Sequence, residues 1–265
     1  MNLHKYFNEL NIEVDKAENL ERYAYLIKKA VMPSDNIFSL FFKEYLVLDK
    51  PKFLVGGDFY WVKILNGKIY FAVADCTGHK IKGALLSLLS IKVLDNIFEK
   101  ELNSTDEYLN EFKNLMDKIL LSTREYNFED GVDITICSFD QKSQILQFSS
   151  SFGMIYYITE VNYEFYKGDK IPIGYYSSSI KDKYFTRNEI KLNNNDIVYL
   201  CTDGIIDQFG GPYHKKFTAK RLGHLLVDIA KYNMEKQKII IEQTFNEWKG
   251  NNVQVDDYTI IGLRF

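Results

Sequence analysis

Four aspartates lie in short motifs at the ends of apolar segments, where their carboxylates could bind metal ions. The motifs are GGD ending at Asp58, ADCTGH containing Asp75, CTDG containing Asp203 and DDYT beginning at Asp256. Three of them carry glycine, which lets the backbone turn sharply and approach a ligand closely. Any one of these motifs alone is typical of a simple turn. Their occurrence together in one chain is what indicates chemistry.

Four carboxylates that converge would repel one another unless a counter-charge were present. A pair of divalent cations would supply it, and oxygen ligands suit Mg²⁺ or Mn²⁺ rather than zinc. Two such ions about 3.5–4 Å apart can activate a water and hold a phosphoryl group for in-line attack. No protein nucleophile is then needed, and the sequence offers no convincing Ser-His-Asp or Cys-His arrangement. The chemistry indicated is metal-dependent hydrolysis of a phosphate ester.

The elements that must position these carboxylates are predicted from hydrophobic periodicity. Strands at Phe38–Leu48, Phe53–Ile64 and Lys68–Ala74 precede a buried helix at Gly83–Phe98 and a second helix after Ser104. Strands followed by helices, without regular βαβ alternation, favour an α+β fold of antiparallel sheets covered by helices. Further strands are predicted at Val132–Phe139, Ile145–Ser150, Met154–Thr159, Tyr163–Tyr166, Tyr184–Lys191, Ile197–Cys201 and Asp257–Phe265, with two helices before the last.

Residues 1–34 are predicted to form a helical extension to a domain spanning residues 35–265. One helical stripe is apolar, and Pro33 ends the helix because the residue before proline is biased away from helical geometry. Two interpretations are open: the stripe docks on the main domain, or it docks on a second subunit as a homodimer. The stripe consists of Leu20, Tyr23, Ile27, Ala30 and Val31.

Composition excludes several classes of protein. The chain has 265 residues, a net charge of −3 and no basic block, so we expect no nucleic-acid partner. No window approaches the roughly 20 apolar residues that span a bilayer, and the first residues do not resemble a signal peptide. We therefore expect a cytoplasmic protein without a membrane partner. The three cysteines lack metal-finger spacing and fit buried thiols.

In order and flanking sequence, the motifs resemble the bacterial PPM (PP2C-like) serine/threonine phosphatases of the SpoIIE/RsbU type. The matching segments are ERYAYLIKKAVMPS, GGDFYW, AVADCTGH with GALLS, KGDKIPIG, CTDGIIDQFGG and QVDDYTIIGL. Together they run from about residue 20 to the end of the chain. The resemblance implies an α-β-β-α sandwich, two Mn²⁺ or Mg²⁺ ions, and hydrolysis of phosphoserine or phosphothreonine on a protein. Relatives often act on a small anti-sigma-factor antagonist in a partner-switching pathway.

The resemblance also implies a ligand set. Asp58 and Asp75 would bind or bridge the two metals, and the backbone carbonyl of Cys76 would be a further ligand. Asp203 and Asp256 would complete the site. These four aspartates are thus the candidate catalytic residues, all acting through the metals.

Four further residues are candidates for substrate or supporting roles, each with an open alternative. His79 relays a proton to the leaving group or structures its loop, and Asp133 lies near the metals or at an exposed strand start. Asp257 exchanges roles with Asp256 or hydrogen-bonds the loop. Lys80 stands where relatives usually have the second glycine of Gly-His-Gly, so it attracts an anionic substrate or is solvated surface.

The alternative to an active phosphatase is a non-catalytic module that keeps the fold and docks a partner protein. All four candidate metal ligands are present, which a degenerate site need not preserve, so catalysis is the favoured interpretation. A nucleotide kinase is disfavoured because the chain lacks a G-x-x-x-x-G-K-[ST] loop.

Overall fold

Two five-stranded antiparallel sheets face each other, and helices cover the outer side of each sheet. The computed structural model describes residues 18–121, 130–159, 162–174 and 183–265. This architecture confirms the predicted α+β fold with an antiparallel sandwich flanked by helices. None of the helices in the described ranges combines the length and hydropathy needed to cross a bilayer.

The elements are numbered here in chain order. The strands are β1 (Glu44–Lys50), β2 (Phe59–Leu65), β3 (Lys68–Cys76), β4 (Val132–Asp140), β5 (Ile145–Ser151), β6 (Met154–Ile158), β7 (Tyr163–Lys167), β8 (Asn188–Lys191), β9 (Ile197–Cys201), β10 (Phe209–Gly210), β11 (Lys215–Lys216) and β12 (Tyr258–Arg264). The helices are α1 (18–31), α2 (Lys80–Phe98), α3 (Thr105–Leu121), α4 (Gly204–Asp207), α5 (Ala219–Ile229) and α6 (Met234–Lys249), and a 3-10 helix spans Asp35–Leu40.

The first sheet has the strand order β2-β3-β4-β5-β8, and the second has the order β1-β12-β9-β6-β7. Helices α2 and α3 pack on the first sheet, whereas α5 and α6 pack on the second. β10 and β11 form a separate small hairpin. The sandwich therefore has four layers, with one apolar core between the sheets and one beneath each helical layer.

Strand β3 is buried on both faces, and its side chains alternate between two apolar cores, one between the sheets and one beneath α2 and α3. Ile69, Phe71 and Val73 join the inter-sheet core together with Val198 and Ile261 of the second sheet. The residues between them pack against α2 and α3. Side chains alternate along a strand, so the assignment of Ile69, Phe71 and Val73 to the inter-sheet core also determines which face the residues at the end of β3 point to.

Three predicted strands are shorter than the sequence suggests. The apolar run from Phe38 begins inside the 3-10 helix, whose first turn is capped by the Ser34 hydroxyl accepting the Asn36 N–H. The segment before β2 is a loop, residues 51–58, which is described with the site. Before β8, the Asp169 carboxylate accepts the Thr186 N–H and so takes that donor out of strand pairing.

Helix α1 contacts the sandwich through a different face from the one predicted. Ala24 is buried against Val55 and Ala84, and Lys28 beside it is also buried. The interpretation that the apolar stripe docks on the main domain is wrong, because Ala24, Tyr25 and Lys28 make that contact instead. The stripe itself is exposed, at Leu20, Tyr23, Ile27, Ala30 and Val31.

Candidate metal centre

Strand alternation brings three aspartates to one edge of the sandwich. Asp75 continues the inter-sheet face of β3 after Phe71 and Val73, and Asp133 is its direct cross-strand partner on β4. Directly opposite residues of an antiparallel pair point to the same face. Asp58, one residue before β2, is two positions from the inter-sheet residue Tyr60. The three carboxylates thus gather where the two sheets open.

A cleft of about 520 Å³ lies at this edge. Asp203 reaches it from the turn after β9, at the beginning of the short helix α4, and Asp256 reaches it from the residues before β12. The structure therefore brings the sequence-predicted residues together from both sheets. The cleft is lined by Asp75, Asp133, Asp203, Asp256 and His79, among others.

Asp256 and its neighbour Asp257 have different surroundings. Both carboxylate oxygens of the buried Asp257 accept backbone N–H groups, from Lys52 and from Gly57, each at 2.7 Å. These bonds hold the 51–58 loop against β12. The Asp256 side chain faces the cleft, and its Oδ1 lies 3.4 Å from His79 Nδ1. Ligand atoms of His79, Asp256 and Asp257 lie within 4.8 Å of one another, but the hydrogen bonds of Asp257 favour its loop role.

Asp58 is the most deeply buried of these carboxylates. Its Oδ2 accepts the Thr202 hydroxyl at 2.7 Å, and the same hydroxyl oxygen accepts the Thr259 N–H. Its Oδ1 is buried and has no hydrogen-bond partner in the described residues. Burial, with a further contribution from Asp257, raises the pKa of Asp58 to about 8. A buried carboxylate oxygen without a partner is costly, and a cation at this position would satisfy it.

At Asp75, repulsion between neighbouring carboxylates adds to the effect of burial on the pKa. Burial raises the pKa of Asp75 well above its usual value, and the carboxylates of Asp58, Asp203, Asp256 and Asp133 raise it further. The donor set is made of oxygen atoms, which suits a hard divalent cation. The residues present therefore fit the group that the sequence predicts, because only positive charge would relieve both the burial and the repulsion.

Two glycines allow the backbone to close around Cys76. A Cβ on Gly57 would lie 2.3 Å from the Cys76 carbonyl oxygen, and one on Gly83 would lie 2.9 Å from the Gly57 backbone. The Cys76 side chain is buried, its Sγ is 3.8 Å from the Ser90 hydroxyl, and burial raises the pKa of the thiol. The thiol therefore remains protonated, and the carbonyl is the atom of Cys76 suited to a metal.

Comparison with known proteins identifies the family of this chain. The sequence model of the family Stage II sporulation protein E (SpoIIE) matches residues 66–265. The chain belongs to the SpoIIE family. It is thus a bacterial PPM phosphatase of the SpoIIE/RsbU type, with a PP2C-type phosphatase domain. No curated protein sequence is significantly similar to it.

Solved structures agree with this family assignment. The SiaA-PP2C domain of Pseudomonas aeruginosa is 28% identical, with a TM-score of 0.85 over 96% of this chain and 98% of that chain. The SpoIIE structure from Bacillus subtilis, a PP2C phosphatase domain with a regulatory fragment, is 16% identical, with a TM-score of 0.67 over 83% of this chain and 62% of that chain. RsbX in complex with magnesium is 13% identical, with a TM-score of 0.57 over 83% of this chain and 94% of that chain. The last two similarities show the fold alone.

Lys80 stands at the position where the sequence resemblance leads us to expect glycine. It has a φ of 57°, in the left-handed region that glycine enters most easily. The side chain of Lys80 stacks on Phe53, and Lys82 Nζ lies 2.7 Å from an Asp130 carboxylate oxygen. His79, just before α2, lies half-exposed in the cleft.

Sequence reasoning missed Lys28 as a residue of this site. Its Nζ donates to the carbonyl oxygens of Gly56 at 2.7 Å and Asp58 at 2.5 Å. Helix α1 is thereby attached to the loop that carries a candidate metal ligand. A signal was present, since Lys28 is a charged residue one turn after Ala24, on the face that adjoins the exposed stripe. The bonds go to backbone atoms, which no side-chain pattern reveals.

Proposed function

We propose that the chain is a metal-dependent protein-serine/threonine phosphatase that hydrolyses phosphoserine or phosphothreonine. Asp58, Asp75, Asp203 and Asp256, with the Cys76 carbonyl, would hold two Mn²⁺ or Mg²⁺ ions. The observation that carries the proposal is the convergence of Asp75, Asp203 and Asp256 on one cleft, with Asp58 buried beside Asp75 and one of its oxygens without a partner in the described residues.

When bound, the two ions would supply an activated water and polarise the phosphoryl group. The protein's part is positional. The Thr202 hydroxyl fixes the orientation of Asp58, and the Lys28 ammonium fixes the backbone on either side of Gly57. Asp257 fixes the same loop through two backbone N–H groups. A rigid set of ligands excludes other arrangements and keeps the cleft ready for an anionic substrate.

His79 is the residue best placed to handle a proton. Its imidazole lies beside the Asp256 carboxylate and faces the cleft. An imidazole at this position could donate a proton to the alkoxide that leaves when the phosphate ester is cleaved. Asp133, the cross-strand partner of Asp75, would act beside it as a further metal or water ligand.

The substrate we infer is a phosphorylated protein in a cytoplasmic partner-switching system, of the anti-sigma-factor-antagonist type. Support comes from the family and from the similarity to a structure of the RsbU and RsbW domains of Rv1364c from Mycobacterium tuberculosis, which is 16% identical with a TM-score of 0.63. Residues 35–265 would form the phosphatase domain, and residues 1–34 would form a regulatory extension.

We infer that the exposed stripe of α1 is the dimer-forming surface of this extension. A contiguous apolar stripe on a helix is usually covered by a partner. The test is light scattering of the full chain and of a Tyr23→Glu/Ile27→Glu double variant. A dimer that becomes a monomer in the variant supports the inference, whereas an unchanged mass contradicts it.

The enzymatic proposal is tested by phosphate release from an aryl phosphate and from a phosphoserine peptide, with manganese and with EDTA. We expect turnover that requires manganese and falls on the order of 100-fold in Asp203→Asn. Asp228→Asn, at an exposed carboxylate of α5, is the matched control and should retain full activity. Equal manganese-dependent rates in wild type and Asp203→Asn would refute the assignment. No turnover in either protein would favour the non-catalytic docking module.

A further inference from the structure

An exposed cluster of one aromatic and two basic side chains borders the candidate metal centre. It consists of Lys52, Phe53 and Lys80 and is called the lysine rim below. The ammonium groups of Lys80 and Lys52 lie 4.7 Å and 5.3 Å from the centroid of the Phe53 ring. That ring lies 6.1 Å from the ring of His79, which lines the cleft. The lysine rim is therefore the next surface that a substrate meets beyond His79.

Lys80 stands at a position that is unfavourable for lysine on two counts. Its φ of 57° is in the left-handed region, where a side chain is strained. It is also the first residue of α2, and a cation is repelled by the positive end of the helix dipole. A residue that breaks two local rules is expected where function requires its side chain.

The ammonium of Lys80 remains accessible despite its neighbours. Glu21 of α1 lies 3.9 Å away, at the limit of an ion pair, and its other oxygen accepts the Leu54 N–H. The side chain of Lys80 is 52% exposed, whereas that of Glu21 is 15% exposed. The outer side of the ammonium therefore faces solvent. Phe53 beneath it limits the freedom of the lysine, so that less entropy is lost on binding an anion.

The described side chains that line the cleft include four aspartates, Asp75, Asp133, Asp203 and Asp256, and no lysine or arginine. These residues therefore offer no ammonium or guanidinium group to a carboxylate of the substrate. A substrate with acidic residues next to its phosphorylated serine would find basic partners for them at the lysine rim. The phosphate itself belongs between the aspartates, where the metals would bind it, and Lys80 lies farther out, beyond His79.

We propose that Lys80 is a specificity-determining residue that binds a carboxylate flanking the phosphorylated residue of a protein substrate, with Phe53 positioning its ammonium. The inference rests on the proposed phosphatase function and adds a substrate class to it: phosphoserine or phosphothreonine segments with acidic neighbours.

The test compares matched phosphoserine peptides that carry three glutamates or three glutamines, on the N-terminal side in one pair and on the C-terminal side in another. We expect wild type to favour the glutamate peptide in one of the pairs by about fivefold in kcat/KM at low salt, the upper end for an exposed ion pair. The preference should reside in KM and decline in 0.5 M salt, because exposed charges are screened.

Three variants test whether Lys80 causes the preference for the glutamate peptide. Lys80→Gln should reduce the ratio to about one, and Lys80→Arg should restore it because the charge and the contact with Phe53 are kept. Lys92→Gln, at an exposed lysine farther along the same helix, is the matched control and should leave the ratio unchanged. If Lys80 served only to hold Glu21 and α1, its replacement would change kcat/KM for both peptides equally and leave their ratio unchanged.

Binding measured by fluorescence anisotropy separates this inference from the proposed function. Labelled glutamate and glutamine peptides are titrated with the manganese-loaded Asp203→Asn protein, with Lys80 present or replaced by glutamine, so that slow turnover does not consume them. A Lys80-dependent ratio of affinities, together with no hydrolysis by the wild type, would support the inference and overturn the phosphatase proposal. A protein with Lys80 that shows no preference by kinetics or binding, or a Lys80→Gln protein that keeps its preference, would overturn the inference.

Discussion

Asp58 should make the metal-free protein less stable as the pH rises. Its carboxylate is 2% exposed and one of its oxygens lacks a partner in the described residues. Burial raises its pKa from 3.8 to about 8. The folded protein therefore binds this proton more tightly than the unfolded chain. The stabilising contribution is complete below the unfolded-state pKa and is lost as the pH rises towards the folded-state pKa.

The size of the effect follows from linkage. One proton taken up on folding changes the free energy of unfolding by about 1.4 kcal/mol per pH unit. Between pH 6 and pH 8 this one carboxylate should thus cost the metal-free protein about 2 kcal/mol. Asp75 adds to the slope, because burial and its neighbours raise its pKa also. Asp58→Asn removes the titrating group of Asp58 and also one of the charges that raise the pKa of Asp75, so the difference between the two proteins reports the effect of Asp58 together with its coupling to Asp75.

The assay is urea unfolding in EDTA at pH 6, 7 and 8. We expect the free energy of unfolding of the wild type to fall more steeply with pH than that of Asp58→Asn. The difference between the two slopes should correspond to about one bound proton. The amide nitrogen of the variant would lack an acceptor, which lowers its stability at every pH but does not alter the slope. Manganese should flatten the wild-type curve and leave the variant's curve little changed, since binding to the folded state adds stability. Parallel curves for the metal-free proteins would refute the argument, and Asp228→Asn is the control.

Three other changes test how the loop and helices support the site. Lys28→Met should weaken manganese binding by about tenfold in calorimetry, because two carbonyls of the 51–58 loop lose their donor; unchanged affinity would contradict this. Lys80→Gly should raise Tm by about 2–4 °C in thermal melts, since its φ of 57° suits glycine; a lower Tm would show that the lysine contacts outweigh the strain. Gly57→Ala should lower manganese-dependent activity about tenfold or more, because its Cβ would lie 2.3 Å from the Cys76 carbonyl; wild-type kinetics would exclude that close approach as a requirement.

The layered fold could be predicted because periodicity and burial agree along most strands. Ile197–Cys201 was predicted with the boundaries that the structure has. The segment from Phe53 was predicted as strand because it is apolar, but the Asp257 carboxylate takes the N–H groups of Lys52 and Gly57 and holds them in a loop. A side chain about 200 residues away in sequence decides that conformation, and local propensity contains no information about it.

The candidate site was only partly accessible from sequence. Asp75 and Asp133 share a face because of cross-strand register, and that register depends on pairing that the sequence does not specify. The distinct environments of Asp256 and Asp257 follow from which of them meets the loop backbone. The raised pKa of Asp58 arises from burial by both sheets, which is a property of the assembled sandwich.

Helix α1 shows best how the two kinds of information combine. Its hydrophobic pattern predicted a stripe in need of a partner, and the structure shows that the sandwich is not that partner. The domain instead binds the adjoining face, through Ala24, the Lys28 ammonium and the Glu21 carboxylate. All three contacts reach the 51–58 loop or residues next to it. A partner that shifts α1 by pulling on its stripe would therefore act on the backbone of Asp58, because Lys28 joins that helix to the Asp58 carbonyl.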